Sequence, residues 1–213
     1  MTRIFRNLIA PVCLILAGCS SAPEAPKKEA VVTKREPAPE VFNVSLDTSK
    51  GPVVIEVHRD WAPVGADHFY TLVKTGFYDN ARFFRVVRNF VVQFGINADP
   101  KTHSLWATAS LRDDPVKERN RKGTVTFAMR GPNTRTTQLF INLKDNFPLD
   151  KDGFAPIGKV VSGMDAVESF YDSYGDIPPR GMGPDPAQIQ VQGNEYLQNR
   201  FPRLDYIKKA VVQ

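Results

Sequence analysis

The chain is poor in the residues from which covalent cross-links and metal sites are built. Only two cysteines occur in 213 residues, Cys13 and Cys19, and both lie near the N-terminus. The rest of the chain has no thiol for a disulfide, so its fold must be stabilised by packing alone. The three histidines are scattered at 58, 68 and 103 and show no metal-ligand spacing. We expect no metal and no cofactor.

The sequence also lacks the patterns typical of nucleic-acid binding and of carboxylate metal or acid/base sites. The formal net charge is +5, but there is no block of basic residues with interleaved aromatics, so we expect no nucleic-acid partner. The adjacent carboxylates Asp113 and Asp114 lie in a polar stretch, and no cluster of His or Cys accompanies them. Such pairs are more often solvated turn residues than metal ligands or acid/base pairs, and we assign them no chemistry.

The first 18 residues have the features of an export signal. Two arginines precede an apolar run at 8–16, which is too short for a permanent membrane-spanning helix, and LAGC follows at 16–19. This arrangement resembles a bacterial lipoprotein signal, which implies that Cys19 becomes the lipidated N-terminus of the mature chain. Ser20, in place of aspartate, favours the outer over the inner membrane. The alternative is an ordinary secretory signal with Cys19 as an incidental thiol.

Residues 19–40 are predicted to form a tether. The segment is rich in Pro, Ala, Lys and Glu and has no apolar periodicity, so it buries too little surface to order itself. Acyl chains on Cys19 would supply membrane affinity, at about 0.8 kcal/mol for each buried methylene. We therefore expect a lipid-anchored protein of the bacterial cell envelope whose folded part faces the periplasm.

The folded part has the pattern of short strands with few helices. Residues 42–57 alternate around a central turn, which predicts a β-hairpin. Residues 63–74 have apolar side chains at helical spacing after a proline, which predicts a helix. The segments 83–95 and 123–141 each favour two strands around a turn.

Arg85 is unusual within the segment 83–95 because its neighbours are large and apolar. The segment alone allows two interpretations. Either the stem of Arg85 covers the core while its head reaches water, or the arginine has a partner or a function.

Three motifs in these segments resemble the signature of the cyclophilins, the peptidyl-prolyl isomerases that interconvert cis and trans X-Pro bonds. The family's signature runs FHRV, then FMxQGG, then MANxGPNTxxSQFFI. Here it stands as FFRV at 83–86, FVVQFG at 90–95 and FAMRGPNTRTTQLFI at 127–141. The resemblance extends over residues 41–171. For Arg85 it favours a function over the interpretation as a surface residue whose stem covers the core.

The resemblance implies a mainly β fold: a closed, eight-stranded antiparallel cyclophilin-like β-barrel capped by two α-helices. The alternation of short strands with two helical stretches, the second at 163–170, agrees with it. We predict an isomerase domain at 41–175 and an extension at 176–213 that packs on the barrel. The apolar residues at helical spacing in this extension are Leu204, Ile207 and Val211.

Isomerisation of an X-Pro bond has a barrier near 20 kcal/mol because the nitrogen lone pair is conjugated with the carbonyl. The reaction needs an apolar slot for the proline ring and a donor for the nitrogen, which becomes basic as the amide twists. Arginine suits this role because it stays protonated and presents several N–H groups from a rigid plane. The motifs make Arg85 this donor and Gln93 the partner that orients Arg85 or the substrate carbonyl.

The resemblance also implies the residues that hold the substrate. They are Phe90, Val91, Ala128, Met129, Gln138, Phe140, Phe147, Leu149 and Phe154. Several positions depart from the family's pattern. Phe84 and Phe154 replace histidines, Val91 replaces a methionine, and Met129 replaces an asparagine whose amide grips the peptide. Pro148 separates Phe147 from Leu149, which leaves open whether Phe147 or Pro148 closes the pocket wall.

The predicted function is peptidyl-prolyl cis-trans isomerisation during the folding of periplasmic or outer-membrane proteins. The partners would be proline-containing segments of unfolded or folding proteins, and the enzyme would act as a monomer. The alternative is a proline-peptide binding or scaffold module with weak or incidental turnover, in which the C-terminal extension docks a partner.

Overall fold

The computed structural model describes residues 37–213; the predicted signal, Cys19 and most of the tether lie outside the described residues. Residues 37–40, which the sequence assigns to the tether, contact the folded domain. Ala38 is 6% exposed, and its N–H donates to the carboxylate of Asp67 at 2.9 Å. The packed part of the chain therefore begins ahead of Val41.

Eight strands form one curled sheet in which every pairing is antiparallel. They are β1 (Val41–Thr48), β2 (Gly51–His58), β3 (Arg85–Val87), β4 (Val91–Phe94), β5 (Thr124–Phe127), β6 (Leu139–Asn142), β7 (Pro156–Ser162) and β8 (Ile207–Val212). Their order in the sheet is β3-β4-β6-β5-β7-β2-β1-β8. The prediction of a mainly β fold with eight antiparallel strands is confirmed.

The two ends of the sheet meet just ahead of β3 and β8. Arg82 and Tyr206 form an isolated bridge. The N–H of Phe83 donates to the carbonyl of Asp205 at 3.0 Å, and the N–H of Ile207 donates to the carbonyl of Ala81 at 2.9 Å. These bonds close the curl, and within residues 37–213 β3 and β8 are not themselves paired.

Five helical segments surround the sheet: α1 (Pro63–Lys74), α2 (Pro100–Ala107), α3 (Pro148–Lys151), α4 (Met164–Glu168) and α5 (Pro186–Arg200). The two predicted helices are confirmed as α1 and α4. The other three were not predicted, although α2 and α5 begin with the same signal. In each, an aspartate N-cap precedes a proline in the first turn. The carboxylate of Asp99 accepts two backbone N–H groups, and that of Asp185 accepts one.

The prediction of helical structure around Leu204, Ile207 and Val211 is wrong, because residues 207–212 form β8 and pair with β1. The register shifts by one residue at Lys208, so the buried residues Ile207 and Ala210 are three positions apart and not two. A β-bulge of this kind imitates the spacing of a helix. The C-terminus therefore completes the barrel.

The interpretation of Asp113 and Asp114 as solvated turn residues is wrong for Asp114, which is 4% exposed. Its carboxylate lies 3.0 Å from the buried guanidinium of Arg135 and accepts the N–H groups of Val64 and Gly65 at 2.9 Å each. It therefore caps the N-terminus of α1, where the first backbone N–H groups lack helical partners. Asp113 is more exposed and contacts the Nε of Arg135 at 3.1 Å.

The apolar interior has two parts. The main core fills the barrel under α1, and a smaller cluster contains Phe84, Ile96, Ile189, Leu197 and Leu204. This second cluster packs α5 and the following turn against the residues flanking β3 and β4. None of the helices in the described part of the chain is long and apolar enough to cross a membrane.

Candidate active site

A cleft of about 590 Å³ opens beside β3, β4 and β6. The cleft is lined by Arg85, Phe90, Val91, Gln93, His103, Ala107, Ser110, Ala128, Met129, Arg130, Thr134, Thr136, Gln138, Phe140, Leu149, Phe154, Ile177, Arg180, Pro186 and Gln190. Strand residues form the floor, whereas the walls come from the loops after β5 and α3, from α2, and from the segment that leads into α5.

The structure brings ten of the eleven predicted catalytic and substrate-binding residues together in this cleft. Phe147 is the exception. Its ring is covered by the guanidinium groups of Arg119 and Arg121, at 3.6 and 5.7 Å from the ring centroid. Neither Phe147 nor Pro148 lines the cleft, and the wall at this place is formed by Leu149 and Phe154. The roles of these residues in catalysis and binding stay predictions.

Arg85 is held on three sides. Its Nη1 donates to the side-chain oxygen of Gln93 at 3.0 Å, and its guanidinium lies 5.4 Å from the ring centroid of Phe90. Its Nε and Nη2 donate to the two carboxylate oxygens of Asp176 at 2.6 and 3.3 Å. Three of the five guanidinium N–H groups are thus used, and within residues 37–213 the remaining two, one on each terminal nitrogen, make no hydrogen bond. Because Arg85 lines the cleft, we call these two unbonded N–H groups its donor edge.

The neighbours of Arg85 follow from the strand register. Arg85 on β3 pairs directly with Gln93 on β4, and Gln93 pairs with Phe140 on β6. The amide nitrogen of Gln93 donates to the side-chain oxygen of Gln138 at 3.0 Å. A polar chain thus runs from Asp176 through Arg85 and Gln93 to Gln138. Because each member is fixed by its neighbour, the donor edge is positioned before any substrate binds.

The apolar floor lies next to this polar chain. Phe140 is 5% exposed and packs edge to face against Phe154, with ring centroids 5.8 Å apart. Val91 is 2% exposed, and Phe90 adds its ring beside Arg85. An apolar slot next to cationic N–H donors is the combination that a twisted prolyl amide requires.

A buried polar network fixes the wall at residues 149–154. The amide of Asn120 donates to Asp150 at 2.9 Å and to the carbonyl of Phe154 at 2.8 Å. The hydroxyl of Thr126 and the amide of Asn142 donate in turn to the side-chain oxygen of Asn120, at 2.9 and 3.2 Å. Burial tends to raise the pKa of Asp150, but hydrogen bonds from Asn120 and Arg119 outweigh it and lower that pKa. Leu149 and Phe154 are therefore held at fixed places.

Met129, at the position where the family has an asparagine, forms the rim of the cleft next to this wall. Its terminal methyl group reaches toward Gly153, where an added Cβ would lie 3.5 Å away. Arg130 follows on the exposed part of the rim, and Asn133 has a positive φ of 57° in the Gly-Pro-Asn turn. The buried Arg135 ties this turn to the N-terminus of α1 through Asp114.

Sequence reasoning missed the walls supplied by α2 and by residues 171–190. These include Ile177, Arg180, Pro186 and Gln190 from the C-terminal part and His103 from α2. Asp176 does not line the cleft, but it contacts Arg85, which does. Burial lowers the pKa of His103, so its ring is neutral near pH 7. The Asp-Pro starts of α2 and α5 could have revealed the helices. No local pattern pairs Asp176 with an arginine that is 91 residues away.

The replacement of the family's histidine by Phe84 has a structural reason. Phe84 is 1% exposed and belongs to the second apolar cluster, together with Ile189 and Leu197 of α5. A phenylalanine at this position buries its ring under the C-terminal helix, where the polar nitrogens of a histidine would need partners.

The fold agrees with comparisons to known proteins. The family model for "Cyclophilin type peptidyl-prolyl cis-trans isomerase/CLD" matches residues 43–181. A peptidyl-prolyl cis-trans isomerase of Acinetobacter baylyi is 35% identical over 132 residues, covering 60% of this chain and 70% of that protein. The isomerase ppi1 of Schizosaccharomyces pombe is 37% identical over 128 residues, covering 57% of this chain and 80% of that protein.

Among solved structures, a cyclophilin-type isomerase of Cryptosporidium parvum superposes with a TM-score of 0.58 at 20% identity, covering 81% of this chain and 98% of its own. The chain belongs to the family of cyclophilin-type peptidyl-prolyl cis-trans isomerases. It is an enzyme of that class, as the motifs around Arg85 predicted.

Proposed function

We propose that this isomerase acts on proline-containing segments of proteins that fold in the bacterial envelope, with Arg85 as the donor to the twisting prolyl amide. The observation that carries the role of Arg85 is the orientation of its guanidinium. Asp176, Gln93 and Phe90 occupy three sides, and two N–H groups remain for the substrate.

The chemical argument rests on the change in the amide during rotation. In the planar ground state the proline nitrogen shares its lone pair with the carbonyl and accepts hydrogen bonds poorly. In the twisted state the lone pair is localised, so a cation beside it stabilises the transition state more than the ground state. Arginine remains protonated throughout, which means that no proton transfer is needed.

Binding of the proline ring would use the apolar floor. Phe90, Phe140 and Leu149 offer the surface, and Gln93 and Gln138 offer polar atoms to the flanking peptide. A related structure, the Cryptosporidium parvum isomerase at 20% identity, was determined in the presence of the dipeptide Ala-Pro. This supports a proline peptide as the ligand of the present cleft.

The test is a protease-coupled isomerisation assay on the full-length protein. The wild type should accelerate cis-trans conversion of an Ala-Pro peptide, and Arg85→Ala should lose most of this acceleration. Gln93→Ala should lose less, because Asp176 still holds the guanidinium. If Arg85→Ala turned over at the wild-type rate, Arg85 would not be the donor.

The proposed place of action rests on the sequence of the first 40 residues. The motif LAGC at 16–19 and the Pro-rich segment after it support a lipid on Cys19 and a folded domain that faces the periplasm, at the outer membrane. A Cys19→Ala variant should incorporate no radiolabelled palmitate and leave the membrane fraction. If this variant incorporated as much palmitate as the wild type, Cys19 would not be the site of lipid attachment. We further expect a monomer, which sedimentation of the detergent-solubilised protein would check.

A further inference from the structure

Asp176, which contacts Arg85 beside the cleft, lies on a segment that belongs to none of the signature motifs. Its side chain is 19% exposed and that of Arg85 is 12% exposed, so both charges are largely removed from water. The carboxylate engages two guanidinium nitrogens at once, with Nε at 2.6 Å and Nη2 at 3.3 Å. Such a two-point contact fixes the plane of a guanidinium as well as its position.

The chain around Asp176 is built to hold this carboxylate in place. Its own Oδ1 also accepts the N–H of Ile177 at 2.8 Å, and its carbonyl accepts the N–H of Gly183 at 2.9 Å. A Cβ added to Gly181 would lie closer than 3.0 Å to three backbone atoms of Asp176, and one added to Gly183 would lie 2.8 Å from its carbonyl oxygen. The two glycines therefore let the loop fold tightly around Asp176.

The loop is in turn anchored to the second apolar cluster. Ile177 packs against this cluster, as do Tyr174 and Phe201. The rings of Tyr174 and Phe201 meet edge to face at 5.0 Å. The position of Asp176 thus depends on α5 and on the turn before β8, which are parts of the chain beyond the signature motifs.

We propose that Asp176 is a positioning residue for isomerisation: it locks the guanidinium of Arg85 so that the two free N–H groups point at the substrate amide. The proposal rests on the proposed role of Arg85. The geometry favours positioning over inhibition, because the carboxylate occupies Nε and one N–H of Nη2. The other N–H of Nη2 and one N–H of Nη1 make no hydrogen bond to any residue from 37 to 213.

The test compares Asp176→Asn with Asp172→Asn in the full-length protein. Asparagine at 176 keeps the size and one acceptor but loses the charge and the second strong contact. We expect kcat to fall about tenfold with KM nearly unchanged, since misplacement of a catalytic group affects turnover more than binding. Asp176→Glu should recover part of the loss. Asp172 is the matched control, because it lies on the same segment and pairs with Arg88, whose side chain is 82% exposed.

A second measurement separates positioning from general damage. In the wild type the Nε–H of Arg85 should exchange slowly with solvent and give a resolved signal by nuclear magnetic resonance. Asp176→Asn should speed this exchange, and Asp172→Asn should not. An unchanged exchange rate in Asp176→Asn would overturn the proposal even if turnover fell.

The other outcomes are also decisive. If kcat of Asp176→Asn equalled or exceeded that of the wild type while Arg85→Ala was impaired, the positioning role alone would be wrong. If Arg85→Ala kept full turnover, the proposed function of Arg85 would fail first, and the role of Asp176 with it.

Discussion

Two arginine–aspartate pairs in this molecule have similar contacts and different purposes. Arg135 and Asp114 lie at the N-terminus of α1, with side chains 2% and 1% exposed. Arg85 and Asp176 lie in the cleft, with side chains 12% and 19% exposed. In both regions a carboxylate takes part of a guanidinium out of water.

The two pairs differ in what surrounds the guanidinium. Arg135 donates through Nε to Asp113, through Nη1 to Asp114 and through Nη2 to the carbonyl of Arg112, and it is enclosed by protein. Arg85 also makes three hydrogen bonds, but its guanidinium lines the cleft beside the apolar floor. An arginine that is fixed on one side and open on the other can serve a reaction, whereas one enclosed on all sides can only stabilise.

The largest effect should come from breaking the enclosed pair. In Asp114→Ala the buried charge of Arg135 keeps only the carboxylate of Asp113, which is more exposed, and α1 loses its N-terminal cap. We expect the free energy of unfolding to fall by about 3 to 5 kcal/mol, as for other buried pairs that lose one partner. Urea unfolding of this variant would measure the loss. Asp113→Ala is the matched control and should cost less than half as much; equal losses would mean that burial of Asp114 is not the cause.

The cleft pair should show the opposite behaviour. Arg85→Ala should lower turnover by about a hundredfold or more, which corresponds to about 3 kcal/mol in the transition state. Its free energy of unfolding should fall by less than that of Asp114→Ala, because the Arg85–Asp176 pair is more exposed to water than the Arg135–Asp114 pair. The contrast fails if Arg85→Ala unfolds as readily as Asp114→Ala, or if folded Asp114→Ala protein has lost its turnover.

The two arginines also show what sequence reasoning can reach. Arg85, Gln93, Gln138 and Phe140 were predicted because their motifs are local and their strands are adjacent. The partner of Arg85 was not predicted, because Asp176 approaches through a Gly- and Pro-rich stretch that has no periodicity. Its position depends on close backbone packing at Gly181 and Gly183, which is a tertiary property.

The same division applies to the fold. The strands of the β1–β2 hairpin and helix α1 follow from alternation and helical spacing, and they were predicted correctly. The strand β8 was mistaken for a helix because a bulge at Lys208 altered its spacing. Asp114 looked like a solvated residue because sequence alone does not show that Arg135 and the start of α1 converge on it.

Lowering the pH should weaken the Arg85–Asp176 pair, because the folded protein lowers the pKa of Asp176. Burial tends to raise the pKa of Asp176, but the hydrogen bonds and positive charge of Arg85, with a further contribution from Arg180, outweigh it and lower that pKa. Its stabilising contribution is therefore complete above the ordinary Asp pKa of about 3.9, and it is lost as pH falls through the lowered value of the folded state.

The measurement is the difference in unfolding free energy between the wild type and Asp176→Asn across pH. Above pH of about 4 the difference should be constant, at about 1.5 to 3 kcal/mol for hydrogen bonds to a charged group, and it should shrink below that pH. A difference that shrank already between pH 7 and 5 would contradict the lowered pKa of Asp176.

The smallest effect should come from the rim, at Met129. An asparagine there would restore an amide that could pair with the substrate backbone, and a neutral hydrogen bond contributes only about 0.5 to 1.5 kcal/mol net. The thioether of Met129 instead offers a flexible apolar contact, which favours a bulky apolar residue before proline. Met129→Asn should therefore change the preference among Ala-Pro, Leu-Pro and Phe-Pro peptides by less than about tenfold.

Met129→Asn and Arg85→Ala can be compared on the same three peptides. Because Arg85 acts on the amide common to all of them, Arg85→Ala should lower turnover on the three by similar factors. Met129→Asn should lower turnover on Leu-Pro and Phe-Pro more than on Ala-Pro, because only the larger side chains reach the thioether. If Met129→Asn reduced turnover more than Arg85→Ala did, Arg85 would not be the main contributor to catalysis. The functional contrast between the Arg85–Asp176 and Arg135–Asp114 pairs would then be wrong.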